Sequence, residues 1–428
     1  MADDRASHRD HEDSLEPVEL IRQSGAVLRV GRMMLASGTA SYRVKEAMQA
    51  VARALGIDRH TAAVTFTEIT ATTHRGAIFR TEVTEVRKFG VNAERIKLLD
   101  DFRSGIPEHT TAADVHAALD AIEAKPALYH PAVNALSAGA ACAAFAVLNN
   151  ARPLEVLAVL VAATLGQLLR RSLAHRGFNP FGTTMAAAAL ACGLYLASVA
   201  LYGIVGADVD VHASGYIACT LFLLPGFPLI TAALDLAKLD FSAGISRLVF
   251  ATMMIVGAAL SVWGMTLIDA LDASEREPLT LDPVPHYTVI AIASLIGVLG
   301  FALMFNSPWR MALSAALIGM VSNTFRLMLV DQGVVIQMAT VIACVLVGVL
   351  VAVAAPRTPS PIITLQVPAV LVMIPGVLAF HSVVSLNEGN YTDTIGAILQ
   401  VLLVVLSIMV GLVIAKLITD REWSFDRG

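Results

Sequence analysis

The sequence predicts an all-α polytopic membrane domain of about ten spans, built as a 5+5 inverted repeat and preceded by a small α+β soluble domain. Three observations predict it. The chain is 56% hydrophobic and only 15% charged, with a mean hydropathy of +0.68, a balance soluble domains rarely show. That imbalance is local: the chain up to about Pro126 is mixed and charged, and from about Val133 it is long apolar runs joined by short polar loops. Finally, two apolar runs, Leu221–Leu236 (LFLLPGFPLITAALDL) and Leu371–Leu386 (LVMIPGVLAFHSVVSL), each carry a Pro-Gly interruption, and Pro375 stands 150 residues after Pro225.

In chain order, residues 1–14 are acidic and polar and are expected to be a disordered tail. They lack the basic start and apolar core of a signal peptide, so residues 15–126 are expected to form a cytoplasmic domain. Glu16–Ser37 has apolar residues at helical spacing, and Gly38-Thr39-Ala40 ends it. Ser41 reads as the N-cap of a second helix, Arg43–Leu55, closed by Gly56. Ala62–Glu68, Ile69–Arg75 and Ala77–Arg87 read as strands, with a turn at Arg75-Gly76. Asn92–Phe102 and Ala112–Ala124 read as helices, the second opened by Thr110 or Thr111. His60, Glu68, His74 and Glu82 show no metal or nucleophile spacing and read as polar strand residues. No basic tract points to nucleic acid, and no cofactor motif is present.

A bilayer core needs about 20 helical residues. Ten segments approach that length: Ala132–Leu148, Leu154–Leu169, Thr184–Tyr202, Gly215–Leu236, Leu248–Leu271, Tyr287–Phe305, Trp309–Leu329, Val335–Ala355, Ile363–Leu386 and Ile395–Ile418. The second is short and reads as one arm of a hairpin. Residues 130–272 and 285–419 form the two five-span modules, and 420–428 a tail. Lys and Arg favour one side: Arg170, Arg171, Arg176, Lys238, Arg247, Arg310, Arg357, Lys416, Arg421 and Arg427 fall there, against Arg152 and Arg276 opposite, with Arg326 near the outer end of a span. This predicts both termini inside. Segment one ends NNARP and segment six FNSP, and an odd number of spans per half makes the second half enter from the opposite side. The four cysteines lie in apolar runs and read as small packing residues.

Proline inside a helix removes a backbone donor and clashes one turn back, so both interrupted spans are expected to break. Paired broken spans mark a transporter's substrate site, because half-helix ends bind solutes without a charged side chain. Pro225, Gly226, Pro228, Pro375 and Gly376 are therefore the first candidates, with structural kinks as the bland reading. Thr231, Asn323 and Gln366 are the polar candidates beside them; His381 and Gln400 could also face a cavity. Asp235 and Arg326 are the candidate coupling charges, Arg326 alternatively snorkelling toward Asp331. No Walker A signature is present, which leaves a proton or the membrane potential as the energy source.

The stretch Leu28–Gly56, with Gly38, Ser41, Arg43 and Val44, resembles the threonine/serine exporter family. Thr65–Thr73 and Arg80–Thr84 are similar to its Thr-rich strands. The Pro225-Gly226 span followed by Asp235, Asp240, Gly244 and Arg247 is similar to its first membrane module, and segments six to ten to its second, a separate chain in some relatives. The resemblance implies a non-enzymatic exporter of small hydroxyl amino acids, driven by the proton motive force across a bacterial-type inner membrane, with ten spans. Some two-chain relatives are associated with dicarboxylates, which keeps a succinate-like substrate open, as a homo-oligomer stays open. The family is also associated with a hydrolase-like N-terminal domain, but no catalytic set supports hydrolysis here. A membrane-anchored sensor or enzyme, with the soluble domain as its active part, is the competing class.

Overall fold

The computed structural model describes residues 18–87, 89–205, 213–267, 282–358 and 360–425. The tail 1–14, Arg276 and Arg427 lie outside them. The chain divides into two compact units, Met1–Pro126 with Leu234–Leu248, and Ala127–Ala233 with Val249–Gly428.

In the first unit, helices α1 (Val18–Ala36) and α2 (Ser41–Ala54) pack with a three-stranded antiparallel sheet. The strands are β1 (Arg59–Val64), β2 (Glu68–Arg75) and β3 (Ile78–Glu85) in the order β1-β2-β3. The first strand sits earlier than its sequence pattern suggests. The Thr65 hydroxyl accepts from Glu68 N at 3.1 Å, so Thr65–Thr67 becomes the turn instead of strand. Gly76 makes the second turn at φ 59°. Val27, Val30, Met34, Val44, Met48, Val51 and Ile69 form the core. Helices α3 (Ala93–Gly105) and α4 (Ala112–Glu123) follow, α4 opened by a reciprocal capping box between Thr111 and Asp114.

The second unit is helical. Its first half holds α5 (Pro131–Leu148), α6 (Pro153–His175), α7 (Pro180–Ile204), the short α8 (Ala213–Ala218), α9 (Gly226–Ala237) and α10 (Phe241–Thr266). Its second half holds α11 (Pro283–Met304), α12 (Trp309–Asp331), α13 (Ile336–Ala354), α14 (Ile362–Leu371), α15 (Gly376–Asn387) and α16 (Tyr391–Thr419), with a final turn α17 (Arg421–Ser424). The ends of α9 and start of α10 belong to the first unit. Among the described residues, eight helices are long and apolar enough to cross a membrane, or nine counting the bent pair Gly215–Leu223 and Gly226–Ala237 as one span. The second sequence segment, read as the short Leu154–Leu169, extends to a full 23-residue helix. Arginine is a good helix former and its long stem tolerates a polar end, so α6 continues through Arg170 and Arg171 to His175.

The halves keep a common register. Helices α6 and α12 are both 23 residues long and start 156 residues apart; α9 and α15 are both 12 residues long and start 150 apart. Asn150 (φ 64°) and Asn306 (φ 62°) close α5 and α11 in the left-handed region, where asparagine is tolerated. Each is followed by the same long-reach bond, Ala151 N to Ala146 O and Ser307 N to Ala302 O, both 3.0 Å. Helix α5 packs closely on α11: a Cβ at Gly300 would lie 2.5 Å from Ser137 O. All four cysteines are free and buried.

Candidate functional site

Both Pro-Gly pairs break their spans. A 3-10 turn, Leu221–Leu223, leads to Leu224, which is extended (ψ 127°) as a residue before proline must be. Helix α9 restarts at Gly226, bent by 63° from the preceding piece. In the second half α14 ends at Leu371 and α15 restarts at Gly376. The local bonds repeat at the 150-residue offset. Gly226 N donates to Leu224 O at 2.9 Å and Gly376 N to Ile374 O at 3.0 Å. Leu229 N donates to Pro225 O at 3.1 Å and Ala379 N to Pro375 O at 3.2 Å.

The two breaks meet. A Cβ on Gly226 would lie 2.4 Å from Leu371 Cδ2, and one on Gly376 2.6 Å from the Phe145 ring. Phe227 packs edge-on against Phe305 with ring centroids 5.0 Å apart. Pro225 and Pro228 are half-buried. Thr231 turns its hydroxyl onto its own helix, donating to Phe227 O at 2.7 Å. Gln366, on α14, comes near Gly348, whose added Cβ would lie 3.5 Å from its Nε2. Gln400 is exposed rather than turned toward a cavity, because it falls on the outer face of α16.

Arg326 does not snorkel toward Asp331. Its side chain is 6% exposed, and Nε donates to Asn323 Oδ1 at 3.0 Å, whose Nδ2 in turn donates to the Ser294 hydroxyl at 2.8 Å. Asp331 instead takes the Tyr287 hydroxyl at 3.0 Å. Among the described residues, Arg326 Nη1 and the Ser322 hydroxyl are buried without a hydrogen-bond partner. Ser322 and Arg326 are four residues apart on one helix, so they share a face. That face lies against the second break. Gly319 on α12 abuts Ala369 of α14, and an added Cβ would be 3.2 Å from its Cα. Cys344, within electrostatic reach of Arg326, touches Met373 at 3.8 Å. A buried guanidinium nitrogen left without a partner is costly.

Asp235 has different company, all within the first unit. Arg247 Nε stands 3.1 Å from Asp235 Oδ2, with both side chains 1% exposed or less. Ser41 is the first residue of α2 rather than its N-cap; Ala40 occupies that position without a side-chain bond. The cap comes from Asp235, whose Oδ1 accepts Ser41 N at 2.9 Å, placing negative charge at a helix N-terminus. The Ser41 hydroxyl lies 2.9 Å from Asp235 Oδ1 and 2.6 Å from Asp240 Oδ2, and its one proton serves one at a time. Lys45 pairs with Asp240 at 2.6 Å, and Arg247 Nη2 donates to Thr39 O at 2.7 Å. No local spacing links residue 41 to residue 235.

Sequence reasoning also passed over Arg170, placing it in a loop. It lies inside α6, and its Nη1 donates to Phe222 O at 3.0 Å, at the entry to the first break. Three residues earlier, Gln167 Nε2 donates to Asn134 Oδ1 at 3.0 Å. The available signal was a matched spacing: Gln167 and Arg170 precede Asn323 and Arg326 by 156 residues.

Broken apolar spans around buried polar groups define a multi-pass membrane transporter, and the family comparison agrees. The chain belongs to the threonine/serine exporter family: the family described as "Putative threonine/serine exporter" matches residues 26–269, and "Threonine/Serine exporter, ThrE" matches 290–418. It is similar to the "Probable succinate transporter subunit YjjP" of Klebsiella aerogenes, 29% identical over 254 residues, covering 54% of this chain and 90% of the relative. The protein of the same description from Escherichia coli K12 is 27% identical over 254 residues, covering 56% and 93%. No solved structure matches the chain.

Proposed function

We propose that this protein is a secondary active transporter that exports the small hydroxyl amino acids threonine and serine by proton antiport. It works in the plasma (inner) membrane with both termini cytoplasmic. Ten spans form the 5+5 inverted repeat, as modules 130–272 and 285–419, with the soluble domain at 15–126 and tails at 1–14 and 420–428. The observation that carries the reading is the pair of breaks at Pro225-Gly226 and Pro375-Gly376, equal in local bonding and meeting at Gly226 and Leu371. The solute sits there, its ammonium on carbonyls freed by the breaks and its carboxylate at a half-helix N-terminus or on Arg326. Asp235, held by Arg247 and Ser41, joins the soluble domain to the hairpin that follows the first break.

One observation favours a second reading. The unpartnered Nη1 of Arg326 suits a carboxylate, and a dicarboxylate such as succinate offers two. Counterflow in proteoliposomes with labelled threonine, challenged in turn by serine and succinate, separates the two. Competition by serine, with net export slowed when the proton gradient is collapsed, supports the amino-acid antiporter. Exchange of succinate but not threonine replaces it with the dicarboxylate reading, and exchange of neither removes both.

A further inference from the structure

Resting on the reading of Arg326 as a carboxylate partner, we propose that Arg170 and Arg326 exchange roles during transport. In each state one arginine ties the carbonyl that leads into its own broken span, and the other is released to hold the solute's carboxylate.

The two arginines occupy equal positions in equal helices. Both stand at the eighteenth place of a 23-residue helix, three residues after an amide side chain. The carbonyl that Arg170 ties belongs to Phe222, three residues before Pro225; its counterpart three residues before Pro375 is Val372. The bonding is not equal. Arg170 Nη1 reaches Phe222 O at 3.0 Å. Among the described residues no hydrogen bond reaches the Val372 carbonyl, and Arg326 Nη1 is buried with no partner. Arg326 is on α12, the helix that packs against α14, which leads to that carbonyl. Gly319 abuts Ala369, and Arg326 lies seven residues further along α12, about 10 Å at 1.5 Å per residue. Cys344, within electrostatic reach of Arg326, touches Met373, the residue after Val372.

A buried guanidinium nitrogen and a buried carbonyl that both lack partners are costly separately, and cost little once they meet each other or a ligand. Two such elements, one tied and one released, make a two-state device. An anion that binds the released arginine stabilises this state, and reversal of the pair presents the solute to the opposite side. An inverted repeat supplies the mirror state without any new contact type.

The test measures equilibrium binding and counterflow of labelled threonine or succinate, whichever the wild type exchanges, on the full chain. R170Q is expected to bind within threefold of wild type while its counterflow falls at least a hundredfold. R170K keeps one donor for Phe222 O but not the planar fork; it should bind normally and exchange at least tenfold slower, and it decides the matter if R170Q does not fold. R326Q is expected to lose binding. Wild-type counterflow in the R170 variants overturns the exchange of roles and leaves the Arg326 reading standing. Loss of binding in the folded R170 variants also overturns it, because Arg170 is then a fixed brace. Wild-type binding by R326Q removes the carboxylate reading on which the proposal rests.

Discussion

The hairpins that follow the two breaks have one backbone plan and different side chains. In the first, Leu239, two residues past the end of α9, lies in the left-handed region (φ 61°), and Asp240 N returns to Asp235 O at 2.9 Å. In the second, 150 residues on, Gly389 takes that place (φ 72°), and Asn390 N returns to Ser385 O at 2.9 Å. The first hairpin carries Asp235, Asp240 and Arg247, where the second carries Ser385, Asn390 and Ala397. Only the first has helix α2 to cap and Lys45 to pair. Between these two hairpins, buried charge therefore goes with helix α2 and Lys45 rather than with the shared backbone plan. The cost of burying Arg247 is offset by Asp235, Thr39 O and the Phe66 ring, 5.4 Å from the guanidinium carbon.

The largest expected effect breaks the equivalence of the two breaks. Gly376→Val drives a branched side chain into the rigid Phe145 ring, whereas Gly226→Val meets the movable tip of Leu371. Counterflow should fall at least a hundredfold in the first and less in the second, with both proteins still in the membrane. Full exchange by both variants would discard the site between the breaks.

Removing one charge from the first hairpin comes next. Asp235→Asn or Arg247→Gln should destabilise the protein by about 3–5 kcal/mol, since each leaves its partner buried and unpaired. The matched change Ser385→Ala in the second hairpin should cost less than about 1 kcal/mol, the range of ordinary surface-type substitutions. Denaturant unfolding of the full chain reads both, and equal losses would erase the contrast. Ser41→Ala, which removes a hydroxyl but keeps the Ser41 backbone donor, should cost about 1–2 kcal/mol by the same measurement.

The smallest effect lies in the first unit, at the start of α4. Bonds from the Thr111 hydroxyl and backbone hold the exposed Asp114 carboxyl below its ordinary value of 3.8. A depressed folded-state value contributes stability that is present above the unfolded value and is lost as pH falls through the folded one. Thr111→Ala should return the Asp114 titration upward toward 3.8, as followed by carboxyl NMR. An unmoved titration would assign the shift to something other than the cap.

Much of the fold was legible because its causes are local. Apolar runs of bilayer length, the Pro-Gly interruptions and the Thr111 cap act through neighbouring residues, so the helices, the small sheet and both breaks could be read from order alone. Thr65 shows the limit even there. The Thr-rich alternating stretch Ala62–Glu68 reads as one strand, and one side-chain bond to Glu68 N made its Thr65–Thr67 part a turn. Of the site, the sequence named the glycines and prolines, Asn323 and Arg326. It left Arg170 in a loop, since a charge near an apolar segment's end looks interfacial until its partner is known.

By itself, then, the sequence determined which residues are helical, where two of the helices must come apart, and which family the chain resembles. Only the tertiary structure decided that Asp235 caps a helix almost two hundred residues away, that Gly226 rests on Leu371, and that Arg170 is bonded while Arg326 Nη1 is not. The physical reason is range. Helix propensity, proline geometry and caps are fixed within a few residues, whereas the pairing of buried charges depends on which distant segments the packed chain brings within 3 Å.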